Sequence, residues 1–133
     1  MNYIITLAYN KHIVIRKSIE RLYEYKSTIK WKHILLDNKY PINKKENSLE
    51  LMKLCNEFDI EYMSFYKNLG MANSGELLCL LLNINDNDNL LFYDSDSYIL
   101  TKNFDEILLN DIEYFGIYHG VIPLNESVQN IQN

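Results

Sequence analysis

The sequence predicts an α/β fold: an open, mainly parallel twisted sheet with helices on both faces. Three observations predict it. Short apolar runs alternate with amphipathic helical patterns in the order β-α-β-α-β-α-β. The first run is apolar at nearly every position, as in a strand covered on both faces. The chain has 133 residues, 47% of them hydrophobic and 23% charged, enough for one domain with a substantial core.

Tyr3 to Ala8 reads as the first strand. Asn10 is placed to cap the helix that follows, where Ile15, Ile19, Leu22 and Tyr23 recur at helical spacing between charges. Trp31 to Leu36 reads as the second strand, ended by Asp37-Asn38. A polar loop with Pro41 follows, and Asn47 and Glu50 stand at capping-box spacing. Leu51, Leu54, Cys55 and Phe58 then make the i, i+3, i+4, i+7 stripe of a second helix. Ile60 to Tyr66 reads as the third strand, and Asn68-Leu69-Gly70 breaks the chain. Ser74 to Asn83 is a leucine-rich helix, apolar nearly all round. After an Asp/Asn turn over 85–89, Leu90 to Tyr93 is the fourth strand, ended by Asp94-Ser95-Asp96-Ser97. Asn103 and Glu106 suggest a further short helix, and Glu113 to Tyr118 a fifth strand. Residues 1–124 are expected to form a single domain, with a polar tail over 125–133.

Composition narrows the function. A net charge of −5 argues against non-specific binding to nucleic acid or to an anionic membrane surface. No apolar run is long enough for a membrane span, and Met1 leads straight into a strand-like run rather than a signal peptide. Cys55 and Cys79 lie in helical apolar patterns and read as free, buried core thiols. A reducing, cytoplasmic location is the expectation. The three histidines, His12, His33 and His119, form no metal-spaced pair, and His33 reads as structural. No P-loop, GxGxxG, GxSxG or HExxH pattern occurs.

In an open parallel sheet, ligands bind beyond the carboxyl ends of the strands, near the point where strand order reverses. That rule selects Tyr9-Asn10, Asp37-Asn38, Asn68 with Gly70, and Asp94-Ser95-Asp96. Asp94 and Asp96 leave a strand two residues apart, close enough to hold a hard divalent cation such as Mn²⁺ or Mg²⁺. The bland alternative is a solvated turn whose side chains cap the next segment. Asp37 can accept a hydrogen bond from a base N–H, or end its strand as an Asx turn. Tyr9 can flank a base, or pack at the sheet edge. Asn68-x-Gly70 can bring backbone N–H groups close to a ligand, or simply turn the chain. Asp86-Asn87-Asp88 lacks the following Gly and distal Glu of a calcium loop.

These pieces together resemble the GT-A fold of nucleotide-sugar glycosyltransferases, especially the family 2 type. Ile4-Ile5-Thr6-Leu7-Ala8-Tyr9-Asn10-Lys11 resembles their opening strand, and Leu35-Leu36-Asp37-Asn38 their second strand with its base-binding Asp. Asn68-Leu69-Gly70-Met71-Ala72 resembles their Asn-x-Gly loop, and Leu91-Phe92-Tyr93-Asp94-Ser95-Asp96 their D-x-D strand. The resemblance implies a metal-dependent transferase, or its donor-binding portion, acting on a nucleotide sugar (a UDP-sugar favoured) and a hydroxyl acceptor such as a glycan. It implies nucleotide contacts at Tyr9, Asn10, Asp37, Asn38, Asn68, Gly70, Asp94 and Ser95, and metal contacts at Asp94 and Asp96. It identifies no catalytic base. Lys39-Tyr40-Pro41 replaces the family's Gly-Ser, Leu7 replaces a small polar residue, and the chain ends soon after the D-x-D. A non-catalytic nucleotide-binding or α/β interaction module is therefore the alternative, and a homodimer or partner subunit is a further expectation.

Overall fold

A computed structural model of the chain describes residues 1–38, 44–65 and 70–110, apart from the side chains of Lys44, Met71 and Ala72. Four strands and four helices alternate along it: β1 (Asn2–Ala8), α1 (His12–Tyr25), β2 (Lys32–Asp37), α2 (Lys44–Phe58), β3 (Glu61–Ser64), α3 (Met71–Leu81), β4 (Asn89–Phe92) and α4 (Phe104–Asn110). The strands form one sheet in the order β3-β2-β1-β4, with every pair parallel. The α/β class and the parallel sheet are as the sequence predicts. The expected fifth strand at Glu113–Tyr118 and the tail lie outside the described residues.

The order of the strands fixes where the helices go. From β1 to β2 to β3 the chain steps one way, and from β3 it returns past β1 to β4. Right-handed crossovers then put α1 and α2 on one face and α3 on the other. Packing agrees. Ile15 and Ile19 of α1 and Leu51, Leu54 and Cys55 of α2 pack against Ala8 and Leu35. Leu78 of α3 packs against Ile5, Leu7 and Leu36, on the opposite sides of the same strands. Phe104 of α4 joins Ile4, Leu22 and Tyr93 on the α1 face. Within α3, a Cβ at Gly75 would stand 3.2 Å from Cε1 of Phe92, so the absence of a side chain lets α3 approach β4.

Several boundaries differ from the sequence reading, each for a local reason. β2 runs one residue further, through Asp37, because Ala8 and Asp37 still pair across to β1. β3 is shorter than the apolar pattern suggests, since only Glu61 to Ser64 pair with β2. Asn10 does not cap α1. Lys11 is the cap residue and makes no side-chain bond there. Asn47 does the work from a distance: its Oδ1 accepts from the His12 N–H at 2.7 Å, and its Nδ2 donates to the Asn10 carbonyl at 3.3 Å. α2 begins before Asn47, at Lys44, so this residue caps its neighbour rather than its own helix. Cys55 is buried as expected, whereas Cys79 is only half-buried, and both are free thiols. Burial pushes the Cys55 thiol up to about 12, with the nearby Asp37 charge adding to it.

Two buried polar groups fasten the α1 face. His33 is enclosed between Thr6 Oγ1 at 2.9 Å and the Tyr23 hydroxyl at 2.8 Å, its ring stacked on that of Tyr23. Burial pushes its imidazole down to about 3, so the folded protein holds it neutral. Asp105, fully buried in the first turn of α4, accepts from the Ser27 N–H, the Ser27 hydroxyl and the Trp31 indole N–H at 2.8–2.9 Å. Burial alone would raise its pKa, but these donors outweigh burial and hold it below the ordinary carboxylate value.

Two outcomes follow. Between pH 6 and pH 4 the unfolded chain takes up a proton that folded His33 refuses, so stability falls with pH by about 1.4 kcal/mol per unit from this residue. Urea denaturation across that range should show this slope, and His33→Gln should flatten it. Asp105→Ala strands three donors and should lower stability by about 2–4 kcal/mol at pH 7, measured by the same method.

Candidate functional site

The reversal of strand order lies between β1 and β4, the place where a parallel sheet opens a crevice at its carboxyl edge. Two backbone bonds carry the ladders onto this rim. The Asn38 N–H donates to the Ala8 carbonyl at 3.0 Å, and the Tyr93 N–H to the Ile5 carbonyl at 2.9 Å. By these registers Asn38 stands level with Tyr9, while Asp94 stands level with Leu7, two residues lower along β1.

Alternation along the strands decides which side chains meet there. Leu36 faces α3, and two residues on, Asn38 does too: its Oδ1 accepts from the Ser74 hydroxyl of α3 at 3.3 Å. Leu7 faces α3, and Tyr9 packs in the same cluster. Two polar atoms here are buried without a hydrogen-bond partner among the described residues, the Tyr9 hydroxyl and Asn38 Nδ2. Burial raises the Tyr9 phenol above its ordinary value, and the charge of Asp94 adds to this. The Asn38 amide beside it pulls the other way, although the two groups do not align as an ordinary hydrogen bond.

Asp37 goes to the other face. It shares the side of Leu35, towards α2, and its Oδ2 accepts from the Ser48 hydroxyl at 2.5 Å and the Tyr62 hydroxyl at 2.6 Å. At 1% exposure this carboxylate ties α2 and β3 to β2 rather than opening onto the crevice. Burial, and then the Asp37 carboxylate, push the Tyr62 phenol up to about 12. The sequence groups Asp37 with Asn38, but the pleat separates them, and of the two only Asn38 faces the side of Tyr9.

The β4 turn is built differently. Ser95 is buried, and its hydroxyl accepts from Asn10 Nδ2 at 2.8 Å, clasping the β1 and β4 loops together. Asn10 and Ser95 thus hold each other. Asp94 is half-buried and Asp96 exposed, and neither carboxylate is hydrogen-bonded or ion-paired among the described residues. Gly70 caps α3 at φ +85°, with open space where a Cβ would stand, so it serves the turn by its backbone conformation rather than by close approach. Asn68 lies outside the described residues.

Two hard carboxylates without partners among the described residues are of the type that a divalent cation such as Mg²⁺ or Mn²⁺ takes, completing its shell with water and phosphate oxygens. No cluster of three or more His, Cys, Asp or Glu exists among the described residues. Sequence reasoning missed Ser74 and Ser48 and gave Asn47 a cap at its own helix rather than at α1; each acts on a residue more than ten positions away. No local pattern signals such contacts.

No protein-family model matches the chain, and no curated protein matches it significantly. No helix among the described residues is long and apolar enough to cross a membrane.

Because Asp37 is an internal tie, Asp37→Ala is expected to lower stability by about 2–3 kcal/mol by leaving two buried hydroxyls unpaired. Urea unfolding of the variant beside the wild type checks it.

Proposed function

We propose that the chain binds the donor of a glycosyl transfer, a nucleoside diphosphate sugar with UDP as the favoured nucleotide, in the crevice between β1 and β4. The observation that carries this reading is the pair of buried polar atoms, Tyr9 Oη and Asn38 Nδ2, that have no partner among the described residues, with Tyr9 near enough to Asp94 to feel its charge. A buried polar group left unpaired costs about 1–3 kcal/mol, and a ligand's polar edge would remove that cost. In this reading Tyr9 and Asn38 meet the nucleoside. Asp94 and Asp96 hold a divalent cation, Mn²⁺ or Mg²⁺. Such a cation, when bound, supplies Lewis-acid stabilisation to a departing diphosphate. Asn10 and Ser95 keep the two loops in register, and Gly70 starts α3 against the crevice.

Transfer to a hydroxyl acceptor also needs a group that takes the acceptor's proton. With Asp94 and Asp96 on the cation and Asp37 turned to α2, no third carboxylate is assigned to that task among the described residues. This favours donor binding as the property to test first, with a non-catalytic nucleotide-binding module as the second reading. Release of sugar from a UDP-sugar, to water or to an acceptor, separates the two.

Calorimetry with UDP, with and without Mn²⁺, tests the site. In the wild type Mn²⁺ should tighten UDP binding about tenfold or more, which is about 1.4 kcal/mol. Asp96→Asn should lose that gain and keep its melting temperature, because Asp96 is exposed and makes no bond among the described residues. An unchanged Mn²⁺ effect in the variant rules out the metal role.

A further inference from the structure

The turn that carries the two carboxylates is strapped at several of its other polar groups. Its own backbone closes through the Ser97 N–H donating to the Asp94 carbonyl at 3.1 Å. The Ser95 hydroxyl is held by Asn10. The Ser18 hydroxyl of α1 donates to the Asp94 carbonyl at a long 3.5 Å. Just beyond the turn, Arg21 of α1 donates to the Ile99 carbonyl at 2.9 Å and to the Tyr98 hydroxyl, its guanidinium 3.9 Å from the Tyr98 ring. At the centre is Tyr93, 5% exposed, whose hydroxyl bridges the Ser18 carbonyl at 2.9 Å and the Ser97 carbonyl at 3.1 Å. It therefore joins the far end of the turn to α1 from beneath.

A turn that only had to reverse the chain would not need this. Asp and Ser side chains ordinarily close such turns themselves. Here the carboxylates take no part, and the fastening comes from α1 and β1. On the same rim stand Asn38, 1% exposed and with no partner for Nδ2 among the described residues, and Tyr9, which is close enough to feel the Asp94 charge. These are independent signs that a polar ligand belongs there.

We infer that Tyr93 is a positioning residue for the acidic turn. It touches neither cation nor nucleotide. Its hydroxyl fixes the Asp94–Ser97 backbone against α1 before any cation arrives. A turn ordered on folding has less freedom to lose on binding. This inference rests on the donor-site reading above and adds how the site is made ready.

The test compares wild type, Tyr93→Phe, Ser18→Ala and Asp96→Asn, using UDP alone, Mn²⁺ alone (free ion counted by electron paramagnetic resonance) and UDP with Mn²⁺. Tyr93→Phe keeps the buried ring and loses only the bridge. It should weaken Mn²⁺ binding and the Mn²⁺-dependent part of UDP binding by about tenfold, and leave metal-free UDP binding within about twofold. Ser18→Ala, which removes the weaker strap, should shift both in the same direction by a smaller factor and serves if Tyr93→Phe does not fold. Equal Mn²⁺ affinity in the strap variants and the wild type, with Asp96→Asn defective, overturns the positioning role and leaves the donor site standing. Loss of metal-free and metal-dependent binding in equal measure makes Tyr93 merely structural and also overturns it. A wild type that binds UDP without any Mn²⁺ effect, or binds neither, overturns this inference and the metal reading together.

Discussion

Strand β1 is the element on which the rest depends. It is paired on both sides, with β2 over six residues and with β4 over four, and its side chains Ile4 and Ile5 are fully buried on opposite faces. A strand in that position can have no polar side chain without an internal partner. Thr6, the one such residue in its centre, has His33. Because the winding reverses across β1, its carboxyl end is also where the loops part. The same constraint that makes the strand apolar makes the residues just beyond it, Tyr9 and Asn10, the first polar groups free of the sheet.

The pleat then divides labour between faces. On the α1–α2 face, polar side chains close on one another: His33 with Thr6 and Tyr23, Asp37 with Ser48 and Tyr62, Tyr93 with two carbonyls, Asp105 with Ser27 and Trp31. Each is buried or nearly so, and each joins elements far apart in sequence. On the α3 side of the rim the Asn38 carbonyl oxygen is held by Ser74, while Asn38 Nδ2 and the Tyr9 hydroxyl have no partner among the described residues.

The acidic turn shows the same division within four residues. Its backbone and the Ser95 hydroxyl are tied into the fold, while its carboxylates have no partner among the described residues. Strength of fastening and freedom of the functional groups are compatible because they use different atoms.

Periodicity made the elements, their order and the parallel sheet legible in the sequence, since a strand buried on both faces and an amphipathic helix each leave a pattern in consecutive residues. The rule that ligands gather at carboxyl ends of strands selects Tyr9-Asn10, Asp37-Asn38, Asn68 with Gly70, and Asp94-Ser95-Asp96 without distinguishing among them. Local patterns could not decide that Asp37 faces α2 while Asn38 faces α3, because a one-residue difference in where β2 ends reverses both. Nor could they assign Asn47 to the cap of α1 or Ser95 to Asn10, whose partners lie 35 and 85 positions away. Those contacts exist only once the helices have docked, because a hydrogen bond between distant residues is set by where their elements meet and not by the spacing between them.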